Sequence, residues 1–181
     1  MKDIIDQLHQ DHINVAKLLD LYEKNYQLLK QGGNPNYLIM RDIMKYMNCY
    51  PDVVHHPLEE VIFEKMEGID ASLTDDLKKL YREHSELDDI GDMLFDKLST
   101  IAAGEVTSLT DLLENSEKYL QLMRNHMNLE EAEVFPAIRK HMDEIDWSKV
   151  DLGLADADDP VFGSKVNEEY KNLYQSVMSA S

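Results

Sequence analysis

Two short stretches of this 181-residue chain place histidine and glutamate at a spacing that suits metal coordination. In His126-Met-Asn-Leu-Glu130, and again in His55-His-Pro-Leu-Glu59, an imidazole and a carboxylate stand four residues apart, hence on one face of a helix. Leu129, Val134 and Ala137 fall on or beside the face of His126 and Glu130, so that face points into a core. A buried carboxylate or imidazole without a partner is expensive, and a metal ion satisfies both.

The elements that carry these pairs read as helices almost throughout, with few Gly or Pro interruptions and no sustained strand-like alternation. A first helix is predicted from about residue 2 to about residue 31. Its seam, Ile5, Leu8, His12, Val15, Leu19, Tyr22, Tyr26 and Leu29, recurs in steps of three and four as in a bundle. His12 stands in that seam as though it were a leucine. Gln31-Gly-Gly-Asn-Pro-Asn36 then turns the chain. A second helix spans roughly 37–67, with Met44, Met47, Pro51, His55, Leu58, Glu59, Ile62 and Met66 inward. Pro51 and Pro57 each remove a backbone donor, which predicts an irregular turn beside His55. Steps of four from His55 reach Glu59 and Phe63, whereas from His56 they reach Glu60 and Glu64. That register turns His55 and Glu59 inward and His56 and Glu60 toward solvent.

A third helix, with Ser72 or Thr74 as its N-cap, carries Leu73, Leu77, Leu80, His84, Leu87, Gly91, Leu94, Leu98 and Ile101. A fourth, from near residue 107 to 141, carries Leu109, Leu112, Ser116, Tyr119, Met123, His126, Glu130, Val134 and Ala137, with Pro136 bending its last turns. His12 precedes His55 by 43 residues and His84 precedes His126 by 42. The chain thus repeats one helical hairpin, and the expected fold is all-α, an antiparallel up-down-up-down four-helix bundle. The bundle occupies residues 1–142. An acidic extension, 143–181, is anchored by Trp147 and ends in a short amphipathic helix bearing Val166, Tyr170, Leu173, Tyr174 and Val177.

Helix rise tests whether the four seam histidines meet. At 1.5 Å per residue, His12 and His84 each lie about 15 Å from the start of their helices. His55 lies about 18 Å, and Glu130 about 16 Å, from the ends of theirs. Those four helix ends share one end of an up-down-up-down bundle, so His12, His55, Glu59, His84, His126 and Glu130 fall in one layer. A lone seam histidine is more often a satisfied core residue than a ligand. Four in one layer, with two inward glutamates, instead leave a core full of desolvated polar groups. Among the other histidines, His9 borders the layer and His141 sits near a helix C-terminus. Met40, Met44, Met47 and Met123 read as core filler.

Imidazole and carboxylate donors without inward cysteine suit iron, manganese or zinc. Six side chains exceed the needs of one tetrahedral zinc. A metal pair fits better, each ion taking two imidazoles and one oxygen from each glutamate. With an oxygen bridge each ion has five ligands and one open position, suited to oxygen, peroxide or nitric oxide. Composition narrows the alternatives. A net charge of −18 disfavours nucleic acid and anionic membrane as partners. The single Cys49 excludes an internal disulfide and fits a reducing compartment. The start lacks a signal-peptide apolar run and no stretch approaches a membrane span, so the expected location is the cytoplasm.

His12, His55-x-x-x-Glu59, His84 and His126-x-x-x-Glu130, with the Glu-Glu-x-x-Phe-Pro ending at Pro136, resemble the hemerythrin-like, HHE cation-binding family over about residues 3–142. The resemblance implies a non-haem di-iron centre. Similar proteins include oxygen binders, iron or redox sensors, and proteins that protect or repair iron–sulfur centres. In the oxygen-carrying branch a second histidine follows the helix-three histidine by four residues, and here that position is Asp88. A more symmetric centre, open at both metals, is therefore expected, and dedicated oxygen carriage is disfavoured. Binding or reaction with a small ligand in sensing or stress protection is the leading reading. A di-iron oxidoreductase with a protein redox partner, or a metal-stabilised interaction module, are the alternatives. Tyr119, two turns before His126, is assigned to core packing rather than to redox chemistry.

Overall fold

A computed structural model describes residues 4–145, 147–150 and 153–180, and among these there is no strand. The first hairpin is α1 (Ile4–Lys30), α2 (Tyr37–Cys49), a π-helical turn (Pro51–His55) and α3 (His56–Glu67). The second is α4 (Thr74–Ala102), α5 (Leu109–Leu129), a π-helical turn (Glu130–Val134) and α6 (Phe135–Lys140). A short C-terminal helix, α7 (Lys171–Ala180), follows the irregular acidic segment. The two hairpins make the four long rods of the expected bundle.

Both hairpins end their first helix in the same way. Gly32 and Gly104 adopt φ of 74° and 80°, a left-handed conformation that glycine tolerates without a Cβ penalty. Gly33 N donates to Leu28 O at 2.8 Å, and Glu105 N to Thr100 O at 3.1 Å, closing the carbonyls that each helix end leaves free. The next helices start at Asn36 and Ser108, whose side chains accept from Ile39 N and Asp111 N. At α4 the cap differs from expectation: Asp70 accepts from Ser72 N at 3.0 Å, opening a 3-10 turn, Ala71–Leu73, that feeds into the helix.

The prolines break the second rod of each hairpin by one mechanism. Pro57 and Pro136 have no N–H for the carbonyl four residues back, and their rings crowd it. The backbone widens just upstream: His56 N donates to Pro51 O, and Phe135 N to Glu130 O, bonds one residue longer than α-helical ones. Beyond its wide turn the second rod presents Phe135 and Ile138 to the core, with Ala137 only half-buried. Leu109, at the first turn of α5, is exposed.

The apolar core is divided in two. One cluster holds Val15 to Leu29 of α1, the buried face of α2, Leu87 to Leu98 and Leu112 to Met127. The other holds Ile4 to Leu8, Leu58 to Met66, Leu73 to Leu80 and Val134 to Ile138. Each rod passes from one cluster to the other at the height of its seam histidine. The polar residues therefore sit in a slab between two greasy blocks, which exclude water from it. The acidic segment packs on this bundle rather than standing apart. Ile145 and Val150 join one cluster, whereas Val161, Tyr170, Leu173 and Val177 join the other. Tyr46 Oη donates to the buried Asp159 at 2.9 Å. Among the described residues no helix is long and apolar enough to cross a membrane.

Candidate metal centre

The six side chains singled out by spacing converge. His12, His55, Glu59, His84, His126 and Glu130 are all buried, with both glutamates at 0 % exposure. His12 Nε2 and His55 Nε2 lie 3.1 Å apart on one side of the slab. His84 and His126 face each other on the other side, with ring centroids 4.8 Å apart. The glutamates stand between these pairs. Glu59 Oε1 is 3.2 Å from His55 Nε2 and 3.7 Å from His12 Nε2, while its Oε2 is 3.5 Å from His84 Nε2. Glu130 Oε1 is 3.2 Å from His126 Nε2 and 3.8 Å from His84 Nε2, while its Oε2 is 3.3 Å from His12 Nε2. Each carboxylate thus offers one oxygen to each side.

None of these four carboxylate oxygens has a hydrogen-bond partner, nor do His84 Nε2 and His126 Nε2. Six orphaned polar atoms in a dry slab would be costly in a protein core. Their common focus could hold a cation.

The other ring nitrogen of each histidine is held. His12 Nδ1 donates to Glu131 at 2.8 Å, His55 Nδ1 to Asp11 at 3.2 Å, His84 Nδ1 to Glu60 at 2.9 Å, and His126 Nδ1 to Glu83 at 3.3 Å. A carboxylate on Nδ1–H fixes the tautomer and turns the Nε2 lone pair into the slab, the arrangement that orients metal-ligating histidines. His9 shares Glu131, at 2.9 Å, and so borders the layer from outside as expected. His141 is tied to Glu144 and Asp70 near the end of α6.

Electrostatics tell the same story for the metal-free chain. Burial opposes charging His55, but Glu59 and Asp11 outweigh it and push the imidazole up to about 10. Burial is likewise overcome at His84 by Glu130, Glu59 and Glu60, to about 11. Glu59 and Glu130 are held below the usual carboxylate range, because the imidazoliums outweigh their burial and, for Glu59, the repulsion of Glu130. Protons stand in for cations here, and a metal ion would displace them.

One sequence expectation fails. His56 is not at the surface: it is 5 % exposed, with its ring stacked on His84 at 4.2 Å between centroids and 12° between planes. A potential ligand atom of His56 lies within 4.8 Å of those of Glu59, His84 and His126, and the four form one candidate cation-holding group. A second group is His12, His55 and Glu59. Counting only steps of four missed His56, which reaches Glu59 by three residues and Phe63 by seven, on the same helix face. The wide turn lets His55 share that face. Glu60 is also not idle, since it holds His84. Asp88, by contrast, is exposed and belongs to neither group. Tyr119 lies in the apolar cluster as assigned.

The model of the Hemerythrin HHE cation binding domain matches residues 3–138, the two hairpins almost entire. The chain belongs to the hemerythrin HHE family. No curated protein and no solved structure gave a significant match. The HHE domain is a cation-binding domain, and in this chain the buried His/Glu slab fits a metal site. The carboxylates that hold the imidazoles were legible as a pattern, though overlooked. Asp11-His12 and Glu83-His84, then Glu59-Glu60 and Glu130-Glu131, repeat an acidic neighbour beside a residue of the slab in both halves of the HHE domain.

Proposed function

We propose that this HHE domain carries a non-haem di-iron centre that binds or reacts with oxygen, peroxide or nitric oxide, in sensing or stress protection within the cytoplasm. His12 and His55 would hold one ion and His84 and His126 the other, with Glu59 and Glu130 each giving one oxygen to both. The observation that supports this reading is the sharing of each carboxylate between the two imidazole pairs, at 3.2–3.8 Å. One cation would leave the far oxygens and the far imidazoles unsatisfied; two use them all. Imidazole with carboxylate, and no thiolate, suits iron, with manganese and zinc as compatible alternatives.

Bound iron supplies one-electron chemistry and positions for a small ligand. The chain supplies the rest. Its two apolar clusters keep water from the slab, and the Nδ1–H bonds hold the rings and raise their basicity. Elemental analysis of untagged protein from iron-replete cells is expected to give two iron ions per chain. One metal ion or none overturns the reading. Optical spectra of the reduced protein mixed in turn with oxygen, peroxide and nitric oxide should change with at least one of them, and inertness toward all three overturns the proposed reactivity.

A further inference from the structure

Outside the His/Glu slab, a cleft of about 820 Å³ opens between α1 and the acidic segment. Small-molecule sites run from about 300 to 1,000 Å³, so the cleft has the size of one. Gln7 Nε2 donates to Ala155 O at 3.0 Å and ties the segment to α1 within the lining. Tyr50, Trp147 and Phe162 give the cleft aromatic faces, and Ile4 and Met142 add aliphatic surface.

The charge of this lining has one sign. Asp11, Asp156, Asp158 and Asp159 all border the cleft, and none of the described lining residues is lysine or arginine. The loop carboxylates are held by neutral donors, which fix the side chains and leave the charge. Asp159 accepts from Val161 N, Phe162 N and Tyr46 Oη, and Asp158 from Ser164 N and Oγ. Asp11 is only 7 % exposed and accepts from His55 Nδ1. Burial holds the Asp159 carboxyl above the usual carboxylate range in spite of its hydrogen bonds, and the charge of Asp11 adds to the rise. A cation in the cleft relieves that repulsion. The chain already sets one ammonium against this wall. Lys17 Nζ lies 5.7 Å from the centroid of the Phe162 ring and 3.5 Å from Asn14 Oδ1, both lining residues. An ammonium over an aromatic face is a recurring mode of organic-cation recognition.

We infer that the cleft is a binding site for a small organic cation, an ammonium group on an aromatic or aliphatic body. The carboxylates receive the ammonium, and Trp147 and Phe162 face the body. An anion meets four like charges there. A neutral apolar molecule leaves the carboxylates uncompensated, and a bare inorganic ion leaves the aromatic faces unused. The inference stands on the cleft and not on the metal proposed for the slab. Asp11 borders both, so an occupant lies one side chain away from His55.

Trp147 is the single tryptophan of the chain, so its fluorescence reports on the cleft, with titration calorimetry as the second readout. The full chain is titrated with phenethylammonium, phenethyl alcohol and hydrocinnamate, which share one aryl frame and differ in charge. Physiological salt screens the diffuse attraction of the net charge. The ammonium should bind saturably, the alcohol about tenfold or more weakly by comparison, and the anion not at all. Asp156→Lys, at an exposed position, puts a cation in the lining and should weaken the ammonium by about tenfold. Ala157→Leu fills the cleft and should weaken ammonium and alcohol alike, with circular dichroism showing that both variants keep the fold. Equal binding of ammonium and alcohol overturns the inference, because the cleft is then only apolar. So does the lack of a saturable response at millimolar ammonium, or ammonium binding that neither variant diminishes. None of these results bears on the iron content of the slab, so the two readings fail separately.

Discussion

The two hairpins of the bundle use the same parts in different places. Each has a histidine on its first rod preceded by an acid, a histidine and two glutamates on its second, and a left-handed glycine after its first helix. Each second rod also carries a π-helical turn ending two residues before a proline. In the first hairpin that turn, Pro51–His55, precedes Glu59 and ends at His55. In the second it is Glu130–Val134 and begins at the glutamate. The displacement matters because a wide turn presents one more residue per turn to the same side. Placed at His55, it brings two adjacent histidines into the slab. Placed after Glu130, it re-aims only apolar residues, Phe135 and Ile138. A shift of one proline by eight residues relative to a repeated motif is enough to make a twofold design asymmetric.

The sharpest test of equivalence between the halves is at the glutamates. Glu59→Ala and Glu130→Ala each remove an oxygen from both proposed ions, so the two variants should fail alike, losing most of the bound metal. An ion present at a hundred times its dissociation constant contributes about 2.7 kcal/mol to stability. Loss of two then lowers Tm by roughly 10–20 °C in a domain of this size. Calorimetry with metal analysis checks this, and a variant that keeps both ions would break the equivalence.

A second comparison uses one raised imidazole from each hairpin. His55 is pushed up to about 10 and His84 to about 11, both from 6.5. For a group whose folded value is raised, the stabilisation of the metal-free chain is complete below the unfolded value and is lost as pH rises through the folded one. Metal binding runs the other way, because a ligand nitrogen must first lose its proton. The fall in Tm caused by a chelator should therefore be small near pH 6 and grow steadily toward pH 9. Thermal melts across that range check the sign, and a chelator effect that shrinks with rising pH would contradict it.

The smallest effect belongs to the turns. Gly32 and Gly104 both have open space where a Cβ would go, so alanine there meets only backbone strain, about 1–2 kcal/mol. Gly32→Ala and Gly104→Ala should lower Tm by the same few degrees without altering metal content.

Much of this molecule follows from the order of its residues. The hairpin repeat, the seams of the four rods and the common height of the six principal side chains are consequences of helical period and rise, which are local and nearly constant. The seam reading placed His12, His84 and His126 without any tertiary information. What it left undecided lies where that constancy fails or where helices face one another. Pro51 and Pro57 announced an irregular turn, but not how wide, and only the folded backbone shows that His55 and His56 both enter the core. The acidic neighbours repeat visibly in the sequence, but which imidazole each one holds was equally out of reach. His12 is held from α1 by Glu131 of the last rod, and His84 from α4 by Glu60 of α3. Such pairs depend on the relative rotation and height of neighbouring helices, set by packing across the whole core rather than by the period of any one helix.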